Sequence, residues 1–114
     1  MPRKLDSRQD ELVATGEAID TADAVIARAE VPGDRLVSLN IEATADASYA
    51  VDVAAVEDPD AADWFEGEVT YDQADEADPQ DIRDTFILGD RWIRVRVTTG
   101  AAGGETADVT LQGA

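Results

Sequence analysis

RWIRVRVTTG, residues 91–100, alternates without a break: Ile93, Val95 and Val97 fall on one side, Trp92, Arg94, Arg96 and Thr98 on the other. A period of two is that of a strand with one buried face, and β-branched residues on the inner row suit a pleated surface. The same pattern recurs on both sides of this stretch. After the small-residue turn AAGGE at 101–105, TADVTLQGA sets Ala107, Val109 and Leu111 inward and Asp108, Thr110 and Gln112 outward. Before it, DIRDTFILG marks a short strand by Ile82, Phe86 and Leu88, stopped by Gly89-Asp90.

Further upstream, WFEGEVTYDQ puts Phe65, Gly67, Val69 and Tyr71 inward and Glu66, Glu68, Thr70 and Asp72 outward. SYAVDVAAV turns Tyr49, Val51 and Val53 in and Ala50, Asp52 and Ala54 out. DRLVSLNIEAT alternates Val37, Leu39 and Ile41 with Ser38, Asn40 and Glu42, directly after the Pro32-Gly33 turn signal. Ala45-Asp46-Ala47 is short enough to join these last two as a hairpin. Residues 10–30 read both ways. Leu12, Ile19, Ala22, Ile26 and Ala29 make a helical stripe, while Val25, Ala27, Ala29 and Val31 alternate. The expectation is an extended N-terminal arm over 1–22 and a β-domain over 23–114, its first strand at about 23–31. About seven short strands separated by turns, with no long helix between them, define an all-β chain: an antiparallel β-sandwich or small jelly roll.

The charge is one-sided. Asp and Glu number 26, of which 17 are Asp, against 9 Lys and Arg, and Lys4 is the single lysine. The net charge of −17 on 114 residues repels itself in dilute buffer, but at 1 M salt the Debye length is only ~3 Å. Such a coat fits a protein of concentrated brine. It also opposes nucleic acid, which is bound by cationic groups that displace counterions. Cys and His are both absent, which removes disulfides, thiolate chemistry, the common zinc ligand and the usual near-neutral general base. No apolar run reaches the ~20 residues of a membrane span, and the start MPRKLDSRQDEL has no apolar signal segment. The chain is thus expected to be soluble, without a membrane partner.

Four features are candidates for chemistry or contact. Glu57, Asp58, Asp60 and Asp63 lie within seven residues, as a hard cation requires. They lack the spacing of a calcium loop, so a solvated acidic surface is the expected role and neither metal nor cofactor is assigned. Trp92, Arg94 and Arg96 project from one strand face and suit either ion pairs to Glu66 and Glu68 or a subunit contact, since Trp and Arg anchor interfaces. Arg3, Lys4 and Arg8 give the first eight residues a local charge of +2 after Asp6 is subtracted, which suits an arm lying on an acidic neighbour. Trp64, at a strand start after an acidic loop, is either a ring packed over the sandwich edge or a platform for a sugar. Carboxylate pairs drawn from so many acids carry no specificity for hydrolysis, and an enzyme is not expected.

The segments SYAVDV, ADWFEGEV and DTFILGDRWIRVRVTTGAAGGETADVTL, with the acidic bias, resemble small β-sandwich structural proteins of haloarchaeal tailed viruses and their integrated relatives. The likeness runs from Val31 to Leu111 and leaves the first 22 residues outside it. Related patterns occur in carbohydrate-binding and discoidin-like sandwiches. What the resemblance implies is a virion structural role, as a capsid-associated, turret or tail component made in the cytoplasm of a haloarchaeal host. Its partners would be protein subunits of the same assembly, copies of itself included. The competing expectation is a cell-surface module that binds glycan through Trp64 and the loop 57–63.

Overall fold

Alternation becomes architecture through pairing. The computed structural model describes residues 3–4, 11–31, 35–56, 59–60, 63–72, 81–88 and 92–113. Among these residues nine strands follow in chain order: β1 (Arg3–Lys4), β2 (Glu11–Ala18), β3 (Val25–Glu30), β4 (Arg35–Ala43), β5 (Ser48–Ala54), β6 (Phe65–Asp72), β7 (Ile82–Leu88), β8 (Trp92–Thr99) and β9 (Thr106–Gly113). They form a five-stranded sheet in the order β1-β3-β8-β5-β6 and a four-stranded sheet in the order β2-β9-β4-β7. Antiparallel partners are β2 with β9, β3 with β8, β4 with β7 and β5 with β6. The chain is therefore one long hairpin wrapped over itself, with its tip at the β5–β6 connection. This is the two-sheet jelly roll expected from the strand series.

The inner rows meet as the alternation requires. Val37, Leu39 and Ile41 of β4 and Val109 and Leu111 of β9 are fully buried against Tyr49 and Val51 of β5 and Ile93, Val95 and Val97 of β8. Deleting any of these large side chains would leave a cavity costing about 2–5 kcal/mol.

Three expectations are corrected. Residues 11–18 are not arm: Glu11–Ala18 is an edge strand paired along β9, and Leu12 and Ala14 pack on the core. Its alternation was hidden by an irregularity between Ala14 and Glu17, where Gly16 takes a φ of 64°. Of the basic tip, Arg3 and Lys4 form β1, parallel to Ala29 and Glu30 of β3, and Arg8 lies outside the described residues. β4 and β5 do not make a hairpin, since they belong to opposite sheets and the Ala45–Ala47 link crosses the sandwich. Phe65 is not in the core but 67% exposed. It pairs with Val53, while Val69 pairs with Val51, so a bulge between them puts Phe65 at the open end of an edge strand.

Candidate interaction surface

The outer face of the five-stranded sheet is built around one carboxylate. Asp52 is fully buried although its strand position points outward. Its neighbours along β5, Ala50 and Ala54, are too small to cover the sheet, so the long side chains of the next strand fold over it. β8 sets Arg96 opposite Ala50 and Arg94 opposite Asp52. Asp52 Oδ2 accepts from Arg94 Nε at 2.7 Å and Arg96 Nε at 2.9 Å. Oδ1 accepts from Arg96 Nη2 at 3.3 Å and from the Gly67 amide at 2.9 Å. That amide is available because β6 bulges at Gly67, whose φ of 76° is easy only for glycine.

The guanidiniums carry the network outward. Glu66 Oε2 lies 3.3 Å from Arg94 Nη2 and 3.3 Å from Arg96 Nε, and Asp23 Oδ1 lies 3.0 Å from Arg96 Nη1. The expected ion pairs from β8 to Glu66 therefore form, but through Asp52 of the intervening β5. Burial alone would raise the Asp52 pKa. The bonds from Arg96, Arg94 and the Gly67 amide, with the Arg96 charge, outweigh it and hold the carboxyl below its usual range.

Beside the network lies an aromatic layer. Trp64, Trp92 and Ala54 form a small buried cluster apart from the main core. Arg28 sits 5.4 Å from the Trp64 ring centre and 4.9 Å from that of Trp92, and Arg94 sits 4.4 Å from Trp64. These are cation–π distances. The predicted contact residues thus do share a face, as read, but they spend themselves on one another. Trp92 is 5% exposed and Trp64 8%, so Trp64 has the burial expected of a ring packed over the sandwich edge, and Trp92 is buried beside it. The Arg94 and Arg96 side chains are 14% and 12% exposed. Asp60 and Asp63 close a local turn, with Asp60 N–H donating to Asp63 Oδ2 at 2.9 Å. Glu57 and Asp58 lie outside the described residues, and among those described no group of three acids is placed to hold a metal ion.

The other outward face differs. On the four-stranded sheet, Leu36, Ser38 and Asn40 of β4 stand in register with Ile87, Thr85 and Arg83 of β7. On its other side, Ser38 and Asn40 align with Gln112 and Thr110 of β9. Seven adjoining positions are uncharged: Leu36, Ser38, Asn40, Thr85, Ile87, Thr110 and Gln112. Charge appears at the margins, as the Arg83–Glu42 pair at 3.5 Å, Asp108 opposite Glu42, and Glu11 in register with Gln112. Ile87, at 74%, is the most exposed large apolar residue among those described. Sequence reasoning set most of these residues outward but did not assemble them, because their adjacency depends on β4 lying between β7 and β9.

A groove of about 410 Å³ runs between β2 and β3, lined by Leu12, Val13, Val25 and Ile26 among others. Among the described residues that line it, the ionisable ones are Glu17 and Arg28. No protein-family model, no curated protein and no solved structure matches this chain.

Proposed function

We propose that the protein is a non-enzymatic structural subunit of a halophilic archaeal virus particle, as a capsid-associated, turret or tail component, acting by contact with other protein subunits. The observation that carries this is the uncharged patch around Thr85 and Ile87 on a chain of net charge −17. Where 31% of residues are charged, a face of Ser, Thr, Asn, Gln, Leu and Ile is where two copies meet without setting carboxylate against carboxylate. Interface centres are depleted of charge in this way. The fold fits the role, since jelly rolls build capsid layers, although they also serve as lectins and a fold alone does not assign a function. The glycan-binding alternative has less to support it, because Trp64 is buried with Arg28 and Arg94 against its ring.

Light scattering in ~3 M KCl, where the Debye length falls below ~3 Å, tests the reading. A defined oligomer is expected, dissociating when the salt is removed. Thr85→Asp, a charge set into the middle of the patch, is expected to give monomer in the same salt with an unchanged circular dichroism spectrum. A wild-type chain that stays monomeric at every salt concentration sinks the proposal.

A further inference from the structure

We infer that β7 pairs antiparallel with β7 of a second copy, about a two-fold axis through Thr85, joining two four-stranded sheets into one of eight strands. The inference rests on the assembly reading above and specifies its partner, strand and register.

The four edge strands are not equivalent. An open edge is a template for pairing, and proteins blunt edges by shortness, bulges or charge. β1 is two residues long. β2 is broken by the irregularity between Ala14 and Glu17, and β6 by the bulge opposite Asp52. β7 alone among the described edges runs straight, with seven residues in unbroken register along β4 from Ile82 to Leu88. It also carries Ile87 beside Leu36, both exposed.

Self-pairing then has few registers. For the two sheets to continue each other with outward faces on the same side, paired residue numbers must share parity, so the axis passes through a residue. An axis at Arg83 or Asp84 sets that charge directly against its twin, which is destabilising. An axis at Phe86 or beyond leaves five or fewer residues of the strand paired. Only the axis at Thr85 engages all seven residues. It brings Thr85 opposite Thr85, a favourable cross-strand pair, and Arg83 opposite Ile87, with no like charges facing. The uncharged patches of the two copies become continuous across the join.

In the single chain the midpoint of this edge is capped. Asp84 Oδ1 accepts the Thr85 amide at 2.8 Å, while its Oδ2 accepts the Tyr71 hydroxyl at 2.8 Å. Pairing therefore exchanges one bond for another at Thr85, and apolar contact with charge-matched register has to supply the preference. Molar salt helps by removing the repulsion between two strongly acidic bodies.

The chain has no cysteine, which makes single-cysteine variants a clean ruler. Residues directly opposite in an antiparallel pair have Cα atoms ~4.5–5.5 Å apart, within disulfide range. Under mild oxidation in ~3 M KCl, Thr85→Cys is expected to run as a covalent dimer on a non-reducing gel. Arg83→Cys and Ile87→Cys should each stay monomeric alone and link only when mixed. If the wild type associates in this salt but Thr85→Cys does not link, or Arg83→Cys links to itself as readily, the β7 pairing is wrong while the assembly reading stands. A wild type that is monomeric throughout overturns both.

Discussion

Asp52 shows how one residue can be legible in place and illegible in consequence. Its outward position follows from the alternation of SYAVDVA, and the alanines on both sides signal room for longer neighbours to fold over. That two arginines and a glycine amide converge on it depends on β8 and β6 flanking β5, a tertiary fact. Removing one partner of a buried, bonded ion group leaves the others uncompensated, so Asp52→Ala is expected to cost about 3–5 kcal/mol, read by denaturant unfolding. The linkage has a definite sign. The folded pKa lies below the unfolded value of ~3.9, so the contribution is complete above that value and is lost as pH falls through the folded pKa. The stability gap between wild type and Asp52→Asn should therefore be flat from pH 7 to about 5 and narrow below ~4. A gap that grew on acidification would refute the arrangement. Tyr49 is the opposite case: it is fully buried and its hydroxyl has no hydrogen-bond partner among the described residues. Burial first, then the Asp46 and Asp81 charges, pushes its pKa up to about 12. An unsatisfied buried hydroxyl costs about 1–3 kcal/mol, so Tyr49→Phe should be neutral or stabilising by up to ~1 kcal/mol. A clear loss of melting temperature would mean that the hydroxyl is bonded after all.

At the scale of elements, legibility followed regularity. In β4 and β9 the alternation runs the length of the strand, and in the β5–β8 pair the register shifts only at the end, between Ser48 and Tyr49, so the inner rows of all four are readable from sequence. β2, β3 and β6 each carry a register shift, between Ala14 and Glu17, at Val25/Ala27, and opposite Asp52. One extra residue in β2 inverts the parity of everything beyond it, which is why β2 reads as an arm; β6 has two extra residues and keeps its parity, and Phe65 is exposed because it lies at the outer end of an edge strand. Which strands pair was not readable from local pattern, since every pair but β5–β6 joins segments distant in sequence. The bulge in β6 is a built element, tying the edge strand to Asp52 through the Gly67 amide. A Cβ at Gly67 would have room, its nearest neighbour being Thr70 Cγ2 at 3.9 Å, but the backbone there has a φ of 76°. Gly67→Ala should therefore cost about 1–2 kcal/mol from conformation alone. Gly103, with open space and no such φ, provides the control. Equal melting temperatures for Gly67→Ala and Gly103→Ala would show that the bulge is not needed.

For the whole molecule, the question is how far the carboxylates feel one another. The body measures 35 × 30 × 25 Å, and at 0.1 M salt the Debye length of ~10 Å lets each acid sense several neighbours. At 1 M it is ~3 Å, shorter than the ~4.8 Å between strands, and the surface charges become nearly independent. The Asp52 cluster behaves differently, because a buried network is screened much less than exposed charge. Salt should thus relieve the repulsion without dissolving the pairs that tie β5, β6 and β8 together. The melting temperature is expected to rise steeply from 0.1 to 3 M KCl, by ~8 °C if ~2 kcal/mol of repulsion is removed, at ~4 °C per kcal/mol for a domain of this size. Subunit association also raises a melting temperature by mass action, so the series belongs at a protein concentration where light scattering shows monomer. Asp52→Asn should keep the same salt slope from a lower starting point, because the surface term and the buried term are separate. A melt that is flat in salt, or a slope that disappears with Asp52, would mean that the acidic coat does not govern this protein's stability.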